Sequence, residues 1–480
     1  MPHSHSMGWR RGSRAASGAL AILALGSPAR GAVGATVWKF YADYSVTALE
    51  PIGDLSGNGG RDILVGSQND TLYAVETQGA DAGKPLWSFP FGSPLSAAAA
   101  MPDLDGDGKP EAAGGDQSGR VSVIGGADGK PQWSFLAGPG ILLSLAALPD
   151  VNGDGAADLA AGSERDSVYC LSGHPGGGSG KTLWTFAIPP STTRRPPAAK
   201  IAAAASDEVL TGAGSLALIG AEGNAAFGLA VGTHNDTLYC LGPGDGAVKW
   251  KSVFSGDILK VVAFPDMTGD GVEEVLLACS NNMGHLVDGA TGEILWTRLV
   301  KLKGLTVAAV PDLDGDGKAD ALIGDANGTV HCVSGAGRGT VRAVWMYDFR
   351  DASSILSLAS PGDVDGDGSA DCVVGTSNDT AALISGKGKR IWAAGMGGKV
   401  PAVAAWGDID GDGSPDWVAG SAMGFAEAFS GGPGASLLPP RPRPARGAML
   451  RPRSAVRLFA RPGAGALYDG RGRAVTPPHL

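Results

Sequence analysis

Residues 312–320 read Asp312-Leu-Asp314-Gly-Asp316-Gly-Lys-Ala-Asp320, with carboxylates at positions 1, 3, 5 and 9 and glycines at positions 4 and 6. Alternate side chains converge on one point only where the backbone coils tightly, and glycine permits that conformation. Carboxylates held so close together repel one another unless a cation neutralises them. Oxygen ligands, with a backbone carbonyl at position 7, are those that Ca²⁺ prefers. The nonapeptide is therefore predicted to be a calcium-binding loop.

The same nonapeptide recurs along the chain in one register. Three further copies keep all four carboxylates: Asp103, Asp105, Asp107 and Glu111; Asp363, Asp365, Asp367 and Asp371; Asp408, Asp410, Asp412 and Asp416. One copy has a single asparagine: Asp150, Asn152, Asp154 and Asp158. Two copies carry hydroxyl or amide groups and should bind more weakly: Asp54, Ser56, Asn58 and Asp62; Asp266, Thr268, Asp270 and Glu274. The chain is thus predicted to hold up to seven structural Ca²⁺ ions.

An eighth copy keeps the register but has lost both end carboxylates. Its four positions are occupied by Gly220, Glu222, Asn224 and Gly228. Because few charged oxygens remain, this loop is expected to bind no metal.

The acidity of the chain is concentrated in its central part. The formal net charge is −10, although residues 1–35 carry four arginines and no acid, and residues 433–480 carry nine arginines and one aspartate. Half of the 48 acidic residues stand at ligand positions of the seven loops. A nucleic-acid partner would require a basic face, so the composition argues against one.

The first 35 residues are predicted to be an export signal. Three arginines precede an apolar run at 15–25, and small residues follow up to a cleavage position before Thr36. The run is too short to span a bilayer, and no later segment has the length of a transmembrane helix. The protein is expected to be secreted or displayed at the cell surface, with the periplasm as an alternative.

A tryptophan returns once per repeat. Its positions are Trp38, Trp87, Trp133, Trp184, Trp250, Trp296, Trp345 and Trp392. Between tryptophans lie a small-residue strand, the acidic loop, two further apolar strands and a glycine-rich turn, as in residues 142–186. Four short strands in a period of about 45 residues are typical of propeller blades.

The order of these segments predicts how the ring closes. Eight loop positions and eight tryptophan strands are present, but the chain begins with a tryptophan strand and its last repeat lacks one. Residues 36–41 can supply the missing outer strand and so cover an exposed sheet edge. The predicted fold is all-β, a single eight-bladed propeller of four antiparallel strands per blade over residues 36–432.

Two regions depart from the repeat. Residues 188–200 are rich in proline and charge and are interpreted as a tolerated surface insertion, with a functional loop as the alternative. Residues 433–480 are rich in proline and arginine and are predicted to form a linker or disordered tail. Residues 468–475, YDGRGRAV, resemble the ending of bacterial C-terminal sorting domains.

Five cysteines is an odd number for an exported protein. Cys170, Cys240 and Cys332 occupy one position in three repeats. We interpret the cysteines as small buried hydrophobic residues, with a bridge between Cys170 and Cys240 as the alternative. The sequence contains no C-x-x-C spacing, which argues against a zinc or redox site.

Each repeat resembles two known families. The acidic loop and its flanking strands, as in PDLDGDGKADALIGDANGTVHCVSG at 311–335, resemble the FG-GAP repeats of integrin α propellers and their bacterial relatives, in which matching oxygens bind Ca²⁺. The turn into tryptophan, as in DGATGEILW at 288–296, is similar to PQQ-like quinoprotein propellers, in which the tryptophan joins neighbouring blades. The combined resemblance covers roughly residues 36–432 and implies a propeller of the bacterial secreted type.

The resemblance does not extend to a catalytic centre. Quinoprotein dehydrogenases use an adjacent cysteine pair over their cofactor, and no two cysteines of this chain are adjacent. Every acidic cluster in the sequence belongs to the repeated loop. We therefore expect no catalytic residues and no cofactor besides calcium.

The sequence leaves three functions open. The first is a monomeric, non-catalytic calcium-binding propeller that acts as a binding or adhesion scaffold for a protein or a glycan. The second is a propeller enzyme, either a PQQ-type oxidoreductase or a polysaccharide lyase. The third is an envelope assembly scaffold. The regular recurrence of the ligand sets favours the first, because an enzyme would need one distinct set of polar residues.

Overall fold

The computed structural model describes residues 33–138, 140–164, 167–176, 180–189, 215–221, 225–351 and 353–432, together with the residue pairs 467–468 and 474–475. The predicted export signal lies outside the described residues up to position 32. Most of the insertion at 188–200 and most of the tail at 433–480 also lie outside them, as do Glu222 and Asn224 of the degenerate loop.

Eight antiparallel sheets form a closed β-propeller. The first strand of each blade contacts the first strands of both neighbouring blades, including blade 8 with blade 1. These first strands therefore surround the central axis. Within the described residues, the one helical element is the 3₁₀ turn Gly79–Asp81. The predicted all-β, eight-bladed fold is confirmed.

In seven of the eight blades, an acidic loop joins the first strand to the second. The first strands of blades 1 to 8 are Val46–Ile52, Leu95–Ala100, Leu142–Leu148, Ser215–Ala221, Ile258–Phe264, Gly304–Val310, Ile355–Gly362 and Ala402–Ala405. The second strands are Asp62–Ser67, Ala112–Asp116, Asp158–Ser163, Ala225–Gly232, Glu274–Cys279, Asp320–Asp325, Asp371–Thr376 and Trp417–Ser421. Second strands are buried on both faces because neighbouring blades cover both, which explains their continuous runs of apolar and small residues.

The outer half of each blade carries the recurring tryptophan. The third strands are Thr71–Val75, Arg120–Ile124, Ser167–Leu171, Thr237–Leu241, Met283–Val287, Thr329–Ser334, Thr380–Ile384 and Phe425–Phe429. The fourth strands are Pro85–Pro90, Pro131–Leu136, Thr182–Ala187, Val248–Val253, Ile294–Leu299, Trp345–Asp348, Arg390–Gly395 and Thr36–Tyr41. One short addition to the propeller, Gly339–Thr340, runs parallel to the outer edge of blade 5. In the separate C-terminal unit, Leu467–Tyr468 pairs antiparallel with Ala474–Val475.

The N-terminal strand closes the ring as the sequence predicts. Thr36–Tyr41 pairs antiparallel with Phe425–Phe429, and Lys39 forms an ion pair with Glu427 at 3.0 Å. The pairing continues before Thr36, since the Gly34 N–H donates to the Ser430 carbonyl at 2.8 Å. Blade 8 is therefore built from both ends of the propeller sequence.

Seven of the eight recurring tryptophans pack against a glycine of the next blade. The Trp250 indole of blade 4 lies over Gly292 of blade 5, where a Cβ atom would come within 2.6 Å of the ring. Gly292 also has a φ of +78°, so glycine is required both for conformation and for space. The Trp250 indole N–H donates to the Gly289 carbonyl at 2.8 Å. Equivalent contacts join Trp87 to Gly129 and Trp184 to Gly246.

All five cysteines are free and buried. Cys170 and Cys240 do not form the bridge considered as an alternative. Burial raises the pKa of Cys170, Cys240 and Cys279 to about 12. These thiols are therefore protonated and pack as hydrophobic residues.

Candidate metal sites in the blade loops

The seven acidic loops share one backbone conformation. In blade 6, the Asp312 carboxylate accepts the backbone N–H of Gly315 at 2.6 Å and that of Gly317 at 2.7 Å. The position-1 aspartate accepts the same two bonds in every loop. Because each loop joins the first strand to the second, all seven lie on one face of the ring.

The glycines at positions 4 and 6 are required by their conformation. Gly315 and Gly317 have φ angles of +85° and +82°. No atom lies within 4 Å of the place where either Cβ would stand, so space is not the reason for glycine. The left-handed conformation is what excludes larger residues, as predicted from the sequence.

The position-9 carboxylate is buried beneath each loop. In blade 6, Asp320 accepts the backbone N–H of Leu313 at 2.8 Å and that of Gly335 at 3.2 Å. The bond from the position-2 N–H is present in all seven loops. Position 9 is thus an internal support of the loop, a role in addition to the predicted one of metal ligand.

This buried carboxylate also joins the loop to the tryptophan contact. In blade 5, Glu274 accepts the Gly289 N–H at 3.0 Å, and the Gly289 carbonyl accepts the indole N–H of Trp250 from blade 4. The same relation connects Asp158, Gly173 and Trp133. The loop and the packing between blades are therefore parts of one hydrogen-bonded unit.

Burial makes the ionised form of position 9 unfavourable. It raises the pKa of Glu111, Asp371 and Asp416 to about 7 and that of Asp320 to about 6. Neighbouring carboxylates of the same loop raise these pKa values further, whereas the backbone N–H bonds lower them. Without a cation, a fraction of the position-9 carboxyl groups would be protonated near neutral pH. A bound divalent ion would instead favour their ionised form.

Four loops gather carboxylate oxygens within 4.8 Å of one another. The groups are Asp103, Asp105, Asp107 and Glu111; Asp312, Asp314 and Asp316; Asp363, Asp365 and Asp371; Asp408, Asp410 and Asp416. Asp320, Asp367 and Asp412 were predicted as ligands but are not members of these groups. The Asp367 carboxylate instead accepts from the Lys387 ammonium at 2.8 Å.

The other three loops bring fewer acids together. No group of three acidic residues gathers at 54–62, 150–158 or 266–274 in the part of the chain that is described. In blade 3, the Asp154 carboxylate accepts from the Ser172 hydroxyl at 2.9 Å, and Asn152 donates to Asp158 at 3.3 Å. These loops keep the same fold with a smaller negative charge.

Blade 1 has an acidic residue that the sequence analysis missed. Glu76, buried at the end of the third strand, accepts from the Asn58 amide at 2.9 Å. Burial raises the pKa of Asp62, and the Glu76 carboxylate adds to the shift. One buried oxygen of Asp62 has no hydrogen-bond partner. The sequence could have revealed Glu76, because it is an acid at a repeat position where blades 3, 6, 7 and 8 have serine.

The donor atoms of these loops fit a hard divalent cation. Carboxylate oxygens predominate, and hydroxyl and amide oxygens replace them at Ser56, Asn58, Asn152 and Thr268. Oxygen ligands of this kind suit calcium and do not suit a soft transition metal. Asp103, Asp105, Asp107 and Glu111 form the most complete set.

Sequence reasoning also missed two charged residues of the first strands. Glu50 and Lys260 lie on the first strands of blades 1 and 5 and influence each other electrostatically. They belong to no loop motif. The sequence could have revealed Glu50 and Lys260, because each is a charged residue at a repeat position where other blades have small or apolar residues.

Family models match two parts of the chain. Residues 312–374 match the FG-GAP-like repeat, and residues 29–173 match the model described as outer membrane protein assembly factor BamB. The first match contains the acidic loops of blades 6 and 7, and the second contains those of blades 1 to 3. Both likenesses expected from the sequence are confirmed. A comparison with curated proteins finds no match.

Solved structures confirm the ring architecture at low sequence identity. BamB from Moraxella catarrhalis is 15% identical, with a TM-score of 0.56, and the match covers 83% of this chain and 100% of that one. Sqt1 from Saccharomyces cerevisiae is 15% identical, with a TM-score of 0.64 and coverages of 84% and 100%. The computationally designed Ika8 protein is 14% identical, with a TM-score of 0.54 and the same coverages. These likenesses establish the fold alone.

Proposed function

We propose that this protein is a non-catalytic propeller scaffold that calcium stabilises and that binds another macromolecule on its surface. The observation that carries the proposal is the repetition of one loop geometry in seven blades, with carboxylate oxygens gathered in four of them. Equivalent sites distributed around a ring suit structural reinforcement. We propose no catalytic role for the loops, because each loop repeats the same arrangement.

The partner proposed is a protein of the cell envelope. The match of residues 29–173 to the BamB model favours an assembly scaffold over an adhesin, since that family is described as an outer membrane protein assembly factor. A glycan ligand is the alternative partner. No helix among the described residues is long and apolar enough to cross a membrane. We propose that the protein is exported and acts as a monomer.

Calcium would stabilise the ring by linkage. An ion that binds the folded loop and not the unfolded chain adds stability of about 2.7 kcal/mol when its free concentration is 100 times its dissociation constant. The ion would be held by carboxylates at positions 1, 3 and 5, with position 9 below them. Because position 9 also supports the contact between blades, ion binding in one loop would stiffen the junction with the preceding blade.

A thermal melt in calcium and in chelator tests this proposal. We expect a large decrease of the melting temperature in chelator, and the double variant Asp314→Asn with Asp316→Asn should reproduce part of it. Glu293→Gln removes an exposed charge outside the loops and serves as the matched control. Equal melting temperatures of the wild type in calcium and in chelator would refute calcium stabilisation.

The partner is tested separately by crosslinking. The calcium-loaded protein should capture a defined envelope protein, and the capture should decrease in chelator. A glycan array probed with the same preparation provides the comparison. Glycan binding without protein capture would replace the assembly role with an adhesion role.

A further inference from the structure

The end of the third strand of blade 1 differs from its counterparts in the other blades. Thr71–Val75 is followed by Glu76 and Thr77, both of them buried. In six other blades the position of Thr77 is occupied by glycine, namely Gly126, Gly173, Gly289, Gly335, Gly386 and Gly431. A Cβ at any of these glycines would stand between 1.8 and 2.5 Å from a backbone carbonyl oxygen. Thr77 has a Cβ, so it cannot occupy the place that these glycines take, and its hydroxyl donates to the Arg61 carbonyl.

This difference leaves the buried carboxylate of blade 1 incompletely paired. In five blades, the second oxygen of the position-9 carboxylate accepts the N–H of that glycine at 2.5–3.2 Å. In blade 1, Asp62 Oδ2 accepts from Leu55 and Ser56 at 2.8 and 3.1 Å, whereas Oδ1 has no hydrogen-bond partner among the described residues. Because Asp62 is fully buried, an unpaired carboxylate oxygen is costly there unless a bound group pairs with it.

Glu76 brings a second carboxylate to this place. In blades 3, 6 and 8 the residue at its position is serine, and the serine hydroxyl donates to the position-5 aspartate of the loop at 2.9, 3.2 and 3.5 Å. In blade 1 the two partners are exchanged, since position 5 is Asn58 and its amide donates to Glu76 Oε1 at 2.9 Å. The exchange keeps the contact and moves the carboxylate from the loop to the end of the third strand.

The Glu76 and Asp62 carboxylates interact directly with each other. Glu76 Oε1 also accepts the Gln78 N–H at 3.0 Å, whereas Oε2 accepts from no N–H group of the described residues. No basic side chain in the described part of the chain forms an ion pair with either carboxylate. Two buried carboxylates that repel each other, with one oxygen left unpaired, form a donor set for a hard cation.

We propose that blade 1 holds a divalent cation between the Asp62 and Glu76 carboxylates, with Glu76 as the ligand that replaces position 5. Together with Asp54, these residues provide three carboxylates, the number that the loop of blade 3 has. Calcium, the ion of the proposed function on which this inference rests, is the cation expected here. The loop at 54–62 is then not a weak site, because Glu76 restores the charge that Ser56 and Asn58 lack.

The proposed site lies where the ring closes. Gly83 donates its N–H to the Glu76 carbonyl at 2.7 Å and lies against Trp38 of the closing strand. The side-chain amide of Gln78 donates to the Asp408 carbonyl in the loop of blade 8 at 3.4 Å. An ion held by Glu76 would therefore stabilise the junction between blade 8 and blade 1.

Native mass spectrometry of the full chain in calcium tests the site by counting bound ions. Glu76→Gln keeps an acceptor for Asn58 and removes the charge, so it should bind one calcium ion fewer than the wild type. Asp81→Asn removes an exposed charge from the same turn and should bind the wild-type number. Asn58→Asp combined with Glu76→Ser restores the arrangement of blades 3, 6 and 8, and this double variant should recover the ion.

Thermal melts distinguish a ligand from a purely structural carboxylate and verify that each variant is folded. Glu76→Gln should lower the melting temperature in calcium. In chelator it should leave the melting temperature unchanged or raise it, because the repulsion with Asp62 is removed. The proposal is overturned if Glu76→Gln keeps the wild-type number of ions, or if it lowers the melting temperature equally in calcium and in chelator. A wild type that binds no calcium would contradict the proposed function as well as this site.

Discussion

The loops of blades 1 and 2 have the same backbone and different ligand sets. At 54–62 and at 103–111, the position-1 aspartate accepts the same two glycine N–H bonds and the position-9 carboxylate accepts the same N–H from position 2. Blade 2 gathers four carboxylates, whereas blade 1 has Ser56 and Asn58 at positions 3 and 5. The loop conformation is therefore specified by positions 1, 4, 6 and 9, and the charge available for a cation is set by positions 3 and 5.

Removing the buried carboxylate should have the largest effect and should affect both loops alike. In chelator, Asp62→Ala and Glu111→Ala each leave a buried backbone N–H without its acceptor, which costs about 1–3 kcal/mol per unpaired donor. Urea unfolding measures the loss, and Glu111→Gln should recover much of it because the amide oxygen can accept the bond. A loss in only one of the two loops would show that their supports differ.

Changing positions 3 and 5 should separate the two loops. Asp105→Asn with Asp107→Asn should remove a calcium-dependent increment on the order of 2.7 kcal/mol at saturating calcium, while leaving stability in chelator unchanged or slightly higher. Ser56→Ala in blade 1 should change the calcium-dependent increment little. Urea unfolding with and without calcium gives both values. An equal calcium-dependent loss in the two loops would contradict the role assigned to charge.

The pH dependence of the calcium-free protein should reveal the buried carboxylates. Because Glu111, Asp371 and Asp416 have folded-state pKa values raised to about 7, they stabilise the fold fully only below their unfolded pKa near 4. Their contribution is lost as the pH rises through 7. In chelator, the melting temperature should therefore decrease between pH 5 and pH 8, and calcium should reduce or reverse the decrease. A melting temperature in chelator that rises over this range would contradict the pKa directions.

The smallest effect is expected where one loop contacts the next. The Lys109 ammonium of blade 2 donates to the Leu55 carbonyl of blade 1. Lys109→Met should cost about 0.5–1.5 kcal/mol, the usual net contribution of one hydrogen bond. Lys130→Met, which removes only the exposed pair with Asp128, provides the control in the same unfolding assay. Equal losses in the two variants would show that the contact between the loops contributes nothing measurable.

The sequence predicted those features that every repeat needs for its own folding. The period of Trp87, Trp133 and their equivalents gave the blade number, and the unpaired strand at 36–41 gave the closure. The glycines at positions 4 and 6 gave the loop conformation, because left-handed backbone favours that residue. These signals are local and repeated, so one chain is sufficient to detect them.

The details that the sequence did not predict depend on contacts between distant segments. Lys387 comes from the turn after the third strand of blade 7 and donates to the Asp367 carboxylate of the loop. Glu76 reaches the loop of blade 1 from another strand. Glu50 and Lys260, on the first strands of blades 1 and 5, come near enough to influence each other only because the ring closes. These four side chains do not recur at their positions in most blades, so the repeat does not reveal them.

Counting bound calcium tests the central claim most directly. Native mass spectrometry of the protein equilibrated with calcium should show at least the four ions expected from the gathered carboxylate groups and at most the seven expected from the loops, all of them removed by chelator. The absence of any bound calcium at millimolar concentration would contradict the assignment of the loops as metal sites.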